Sequence, residues 1–388
     1  MMKIKTLNAI SDIIHTQLSR EDFTVTKDEP VPEGIIVRSA VVDAQQIPDS
    51  LLAIARAGAG VNNIPIPECT QRGIVVFNTP GANANAVAEL VIAGMLMSCR
   101  DIIGGEQWAR GLKGKGAEVP ALVEKGKGAF GGIEMRGKTL GIIGMGAIGA
   151  LVANAASNGF GMDVIGYDPF ISIDSAWRLS RSVRRAASME EALQNADFVS
   201  VHIPLSDKTR GLFGTELIGK MKKGAVLLNF SRAELVQSDA MLKALADGQI
   251  AKYVVDFPTD EMLCHEHILC IPHLGASTAE SEENCAFMAA AQMRDYLKTG
   301  AIKNSVNLPE IALAVPEGAR ILAIHDNVPN MVSAISACLS KDGINISNMV
   351  NKSKKETAVT VIEIEDAPAP SVIEAIRALP GILRVRVF

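Results

Sequence analysis

Over the first three quarters of the 388-residue chain, short apolar runs bounded by turn residues alternate with stretches of helical periodicity. That rhythm predicts an α/β architecture of doubly wound parallel sheets covered by helices. The first candidate strands are residues 3–7, 34–38, 52–57 and 74–78. A stretch rich in Ala, Leu, Ile and Met predicts one long helix from about Asn85 to about Arg110. The glycine-rich segment 111–131 reads as an irregular crossing. A second series of strands is expected at 139–143, 163–167, 198–202, 225–230, 251–256 and 268–271. Between them a helix opens at Ser188, whose hydroxyl can cap while Glu191 reaches back. Another opens at Ser238 and stops at Gly248. A helix after Ser277 runs to Thr299 and ends at Gly300.

From about Arg320 the pattern changes. Strands at 321–325, 345–350, 358–364 and 383–388 and helices at 332–340 and 371–379 give the order β-α-β-β-α-β, a ferredoxin-like module. Pro309 and Pro316 mark the stretch before it as a linker.

The most informative motif is Gly144-Met145-Gly146-Ala147-Ile148-Gly149. It follows an apolar strand and opens a helix of small residues, the setting that a G-x-G-x-x-G pattern needs to bind a dinucleotide. Gly144 makes the tight turn, Gly146 admits the pyrophosphate and Gly149 lets helix and strand pack closely. Ala147 and Ile148 open the helix, whose N-terminus offers N–H groups to phosphate. Asp168, 19 residues after Gly149, ends the next strand and can bind both ribose hydroxyls. Its charge repels a 2′-phosphate, so the expected cofactor is NAD. Because the motif begins at residue 144, a separate lobe precedes it. The expected domains are 1–98 with 276–305 as a discontinuous substrate lobe and 99–275 as the NAD-binding lobe. A linker at 306–318 and a module at 319–388 complete the chain.

Composition narrows the functional classes. The 38 Lys and Arg against 43 Asp and Glu give a net charge of −5, which argues against nucleic acid or anionic membrane as a partner. No stretch is long and apolar enough to span a membrane, and the first residues lack a signal-peptide core. Six cysteines without metal or disulfide spacing predict reduced thiols and a cytoplasmic setting. His265 and His267 flank Glu266 but lack the spacing of a helical zinc pair, so no metal site is expected.

Three later segments bring polar groups to strand ends: Asn229-Phe230-Ser231-Arg232, Asp256 to Glu261, and Pro272-His273-Leu274-Gly275. In a doubly wound sheet the carboxyl ends face the ligand. Oxidising a 2-hydroxy acid requires a base for the hydroxyl proton, which His273 can supply. It requires a cation for the carboxylate, which Arg232 can supply bidentately. A carboxylate beside His273 would raise its pKa.

With these segments in place the sequence resembles the D-2-hydroxyacid dehydrogenases. Among them it is similar to the D-3-phosphoglycerate dehydrogenases with a C-terminal ACT domain, over essentially the whole chain. The carrying segments are GMGAIG at 144–149, HIPL at 202–205, NFSRAELV at 229–236 and PHLGAST at 272–278. The resemblance implies NAD-dependent oxidation of 3-phospho-D-glycerate to 3-phosphohydroxypyruvate, the first step of serine synthesis. It implies catalytic roles for Arg232, Glu261 and His273. His202, Pro204, Ser231 and Asp256 then belong to the cofactor site, Asp256 at the nicotinamide carboxamide. Counting from Asp256 selects Glu261 as the partner of His273, whereas aligning on Phe257-Pro258-Thr259 selects Asp260.

The resemblance further places Arg38, Ser39, Gly58, Ala59, Gly60 and Asn83 at the substrate, with Arg38 near its phosphate. Arg56 contacts substrate or supports that loop. Arg110, Lys113, Lys115 and Lys127 are further candidate cations, from this or a neighbouring subunit of a homodimer or homotetramer. In the last module, His325, Asn327 and Asn345 are implied as contacts for a serine effector, with Asn327 also able to cap the first helix. Asn330 stands where the family usually has glycine. Two rival functions are a glyoxylate or hydroxypyruvate reductase, and an NADH-sensing binding protein.

Overall fold

A computed structural model describes residues 1–388, the side chain of Asp174 excepted. The chain forms two compact units, Met1–Asn83 with Ala279–Phe388, and Ala84–Thr278.

The first unit holds five parallel strands: β1 (Met2–Leu7), β2 (Phe23–Thr26), β3 (Gly34–Val37), β4 (Ala53–Arg56) and β5 (Val75–Phe77). Their spatial order is β2-β1-β3-β4-β5. Four of them match the expected apolar runs. Strand β2 was missed because its sequence FTVT is short and half polar. The helix Ala279–Thr299 returns the chain to this sheet and ends at Gly300, whose φ is +77°. It lies so close that a Cβ on Gly34 would meet Met293 Sδ at 2.7 Å.

The second unit holds β6 (Thr139–Ile143), β7 (Asp163–Tyr167), β8 (Arg184–Arg185), β9 (Phe198–Val201), β10 (Ala225–Asn229), β11 (Ile250–Val255) and β12 (Ile268–Cys270). All pair in parallel, in the order β12-β11-β10-β9-β6-β7-β8. The order reverses between β6 and β9, the switch point at which such sheets bind ligands. Only β8, two exposed arginines, escaped the sequence pattern.

Three sequence expectations need correction in this unit. The long helix is two, Ala84–Cys99 and Ile102–Arg110, separated where Asp101 Oδ1 accepts the Gly104 amide at 2.9 Å and caps the second. The first of these packs in the second unit rather than the first lobe, because Gly94 lets it approach Phe230 and Val254. The segment 111–131 is not irregular throughout: it carries the helix Val119–Gly126, with a proline in its first turn.

Ser188 caps its helix as expected, its Oγ accepting the Glu191 amide at 3.2 Å, but Glu191 reaches back to the Ala187 amide at 2.6 Å, one residue before Ser188. Ser238 is the first helical residue rather than the cap, and the side chain of the preceding Gln237 bonds Gly211 O at 2.9 Å instead.

The C-terminal module belongs to the first unit. Its strands β13 (Ala319–Asp326), β14 (Asn348–Lys354), β15 (Thr357–Ile364) and β16 (Ile382–Val387) form an antiparallel sheet in the order β14-β15-β13-β16. The helices Met331–Lys341 and Pro370–Arg377 cover one face, over Ile321, Ala323, Ile362 and Ile364. On the other face Leu322, Ile324, Val359 and Val361 join the core of the first lobe with Tyr296, Ile302 and Ile311.

Arginines fasten that contact. Arg386 donates to Tyr296 O at 3.0 Å and Leu297 O at 2.9 Å, and Arg320 donates to Thr299 O at 2.7 Å. These carbonyls lie in the last turn of the helix Ala279–Thr299, where such groups run out of helical donors, although Tyr296 O also accepts the Gly300 amide at 3.0 Å. The expected linker is partly structured as well: Asn307 Oδ1 accepts the Val76 amide at 2.9 Å, and Leu308 and Ile311 are buried.

Candidate functional site

The glycine turn leaves the carboxyl end of β6. Gly144 has φ +96°, and a Cβ there would meet His202 O at 2.5 Å. A Cβ on Gly149 would meet Gly144 O at 2.0 Å, so helix and turn touch at that point. Gly146 has no heavy atom within 4 Å of its ideal Cβ position. Open space therefore lies in front of the helix Ala147–Asn154, whose first N–H groups precede any intrahelical acceptor. Asp168 follows β7; its Oδ2 accepts the Met145 amide and its Oδ1 the Phe170 amide, both at 2.8 Å.

On the other side of the switch point, His202 follows β9. Its Nε2 is 2.8 Å from Ser200 Oγ and its Nδ1 is buried without a partner. Burial holds the imidazole down to about 4, so it is neutral. Pro204 O accepts from Thr209 Oγ1 at 2.7 Å, which fixes the loop beyond it.

The reactive groups gather at the ends of β10, β11 and β12. Ser231 Oγ donates to Val201 O at 2.8 Å, tying the β10 exit to β9. Arg232 is exposed, and its Nη1 donates to Ser231 O at 2.6 Å. Asp256 is 1% exposed, and its Oδ1 has no hydrogen-bond partner among the described residues. Burial pushes this carboxyl up to about 6, against the opposing pull of Arg232. His273 packs against Phe257 with its ring tilted by 51° and centroids 4.5 Å apart.

One expectation about His273 is overturned. Its pKa lies below the usual histidine value, because of burial first and the Arg232 charge second. Glu261 and Asp260 are both exposed, on the turn Asp260–Met262, and among the described residues neither pairs with His273. The structure thus brings Arg232, Asp256 and His273 together and leaves the acid on a separate turn. Sequence counting missed the packing of Phe257 against His273.

The first unit carries a second set of polar groups at the exits of β3, β4 and β5. Arg38 Nη2 pairs with Glu282 Oε1 at 2.7 Å. Ser39 donates its amide to Asn8 Oδ1 at 3.2 Å. Arg56 bonds the carbonyls of Arg38, at 3.0 Å, and Gly60, so it braces the loop. The Gly58 amide turns back to Arg56 O at 2.9 Å, which removes it from the donors expected there. The Ala59 and Gly60 amides have no acceptor among the described residues. Asn83 is half-buried just before the helix Ala84–Cys99. Arg110 pairs with Glu106 and Lys127 with Glu124, in exposed pairs close along the chain.

In the C-terminal module His325 is buried, with Nε2 2.8 Å from Thr360 Oγ1 and Nδ1 2.7 Å from Asp326 O. Asn327 does not cap the helix; its side chain donates to Lys355 O at 3.1 Å. Asn330 precedes the helix with φ +68°, a conformation that Gly and Asn adopt most readily, so the substitution keeps the turn. Asn345 is exposed before β14.

A parallel sheet with a glycine cradle at its switch point, an acid at the end of the next strand, and Arg232 and His273 after β10 and β12 of the same sheet fits a dinucleotide-dependent dehydrogenase. Residues 92–275 match the family described as D-isomer specific 2-hydroxyacid dehydrogenase, NAD binding domain. The chain is 32% identical to the D-3-phosphoglycerate dehydrogenase of Haemophilus influenzae, over 87% of this chain and 81% of that one. It is 32% identical to the Escherichia coli enzyme of the same name, over 88% and 82%. Among solved structures, an NAD+-bound 3-phosphoglycerate dehydrogenase of Entamoeba histolytica superposes with a TM-score of 0.61 and 30% identity, covering 79% of this chain and 98% of that one. The chain belongs to the D-isomer specific 2-hydroxyacid dehydrogenase family.

The residues present fit NAD on this structure's own terms. The open space at Gly146 suits a pyrophosphate, the Asp168 carboxylate suits a ribose diol, and the unpartnered Asp256 Oδ1 suits the amide donor of a carboxamide.

Proposed function

We propose that this protein oxidises 3-phospho-D-glycerate to 3-phosphohydroxypyruvate with NAD, the entry reaction of serine synthesis. The observation that carries the reading is that Arg232 stands near enough to His273 for its charge to lower the imidazole's pKa, in a family whose relatives named above are phosphoglycerate dehydrogenases. Asp256 and the glycine turn would hold NAD, which when bound would supply the hydride acceptor for C2. His273 takes the hydroxyl proton at an imidazole nitrogen.

The lowered pKa of His273 keeps it neutral and able to accept a proton at neutral pH. Once protonated it would face the Arg232 charge. A substrate carboxylate seated on Arg232 offsets that charge and makes the proton transfer easier. Arg38 receives the phosphate, and the free amides of Ala59 and Gly60 receive the carboxylate.

In the C-terminal module a serine effector would meet the exposed Asn345 and Asn327 first, since His325 is internally satisfied. The excursion Ile102–Phe130 buries none of its helical residues and exposes Ile102 and Ile103, which supports a homo-oligomer with this surface covered. Among the described residues no helix is long and apolar enough to cross a membrane.

The test is NADH formation by purified protein with 3-phosphoglycerate, its product trapped. Comparing hydroxypyruvate with its phosphorylated form in the reverse direction separates this activity from a hydroxypyruvate reductase.

A further inference from the structure

We infer that Glu282 is a positioning residue for Arg38: it holds the Arg38 guanidinium in the free enzyme and gives it up only to a strong second anion on the substrate. This rests on the reading of Arg38 as the receiver of the substrate's phosphate.

Both partners stand on fixed backbone. The Arg38 carbonyl is bonded by Arg56 Nε at 3.0 Å and by Asn63 Nδ2 at 3.3 Å, so only its side chain is free to move. Glu282 lies in the first turn of the helix Ala279–Thr299. That helix is held at its middle by Gln292, whose Nε2 donates to Asn78 O at 3.1 Å, and at its end by Arg386 and Arg320. The ion pair between these two anchored points aims the guanidinium.

The pair is also easy to open. The two side chains are 37% and 45% exposed, and an ion pair in that much water is weak. A phosphate dianion offers Arg38 a bidentate, charge-assisted partner, and it repels the carboxylate from its place. A ligand with a single carboxylate, already held by other groups, has nothing with which to displace Glu282. The cost of opening the pair therefore falls on ligands that engage Arg38, and a phosphorylated one recovers it. Glu282 competes with the substrate's phosphate for Arg38 and lowers affinity for phosphorylated ligands.

Glu282→Gln keeps an oxygen acceptor for Arg38 and removes the competing charge. We expect a fall in KM for 3-phosphoglycerate of about three- to fivefold, carried by KM rather than kcat. Glu282→Ala, which loses the acceptor, lowers KM less. Arg38→Ala abolishes the difference between the two Glu282 variants. A KM that is unchanged or raised in Glu282→Gln overturns the proposal.

Inorganic phosphate, titrated calorimetrically into the NAD-loaded enzyme, reads the same gate without turnover. It binds tighter to Glu282→Gln than to the parent, and the gain disappears in the Arg38→Ala background. If the parent does not oxidise 3-phosphoglycerate but phosphate behaves in this way, the substrate reading fails and the gate stands. Active parent enzyme whose phosphate affinity ignores Glu282→Gln sinks the gate alone.

Discussion

The Asp168 carboxylate accepts the backbone amide of Met145 at 2.8 Å, so the acid that ends β7 is fastened to the glycine turn that ends β6. On the proposed reading, one side chain sets both the ribose end of the cofactor site and the shape of its phosphate cradle. Asp168→Ala should raise the KM for NAD roughly tenfold to hundredfold, as expected for losing hydrogen bonds to a charged group. The KM for NADP should change less, since the repulsion of its 2′-phosphate goes too. The check is kcat/KM for both cofactors; an unchanged NAD to NADP ratio contradicts the assignment.

His273→Ala should abolish turnover and leave NAD affinity nearly intact, measured by fluorescence titration. The pH profile carries more information. Because burial and Arg232 depress the His273 pKa, the acid limb of kcat/KM should fall below the ordinary histidine value of 6.5. Protonation of the base stops the reaction, so activity is lost as pH falls through that pKa. Arg232→Met should move the limb upward in the residual activity, since one of the two depressing causes is gone. A limb that moves down, or not at all, contradicts the proximity of these groups.

Asp256 carries a linkage prediction. Its folded pKa, about 6, lies above the unfolded value of 3.8, so the fold prefers the protonated acid. Stability contributed by the protonated form is full below pH 3.8 and is lost as pH rises to about 6. Above that the buried charge costs on the order of 2–3 kcal/mol. Asp256→Asn should therefore raise the Tm of the cofactor-free protein at pH 8 and match the parent near pH 4. A pH-independent difference would sink the account.

Arg320 is 1% exposed, pairs with Glu363 and donates to Thr299 O. Arg320→Ala leaves the carbonyl and a half-screened carboxylate without their donor. Loss of one member of a buried pair typically costs about 3–5 kcal/mol, discounted here because Glu363 is partly exposed. Urea unfolding should show the loss, and Arg320→Lys should recover only part of it. Full recovery by lysine would mean that the forked geometry is irrelevant.

Much of this arrangement was legible in the sequence. Strands β6 and β7 fell on their apolar runs because such central strands are buried on both faces. The fingerprint was legible because its glycines answer to backbone contacts that a Cβ would break. Strands β2 and β8 were not legible: edge strands need no apolar face. The break at Asp101 had a readable signal, an acid three residues before Gly104. The partner of His273 was not readable, because choosing between Asp260 and Glu261 depends on how a turn sits in space. The inward turn of His325 depends on Thr360, far away in sequence, and no local pattern carries it.

The most direct measurement is NADH formation at 340 nm by the purified protein with 3-phosphoglycerate, with 3-phosphohydroxypyruvate removed as it forms. The predicted result is turnover that exceeds that with D-lactate or D-glycerate and vanishes in His273→Ala. Equal or faster turnover of the unphosphorylated acids, or activity that survives His273→Ala, would contradict it.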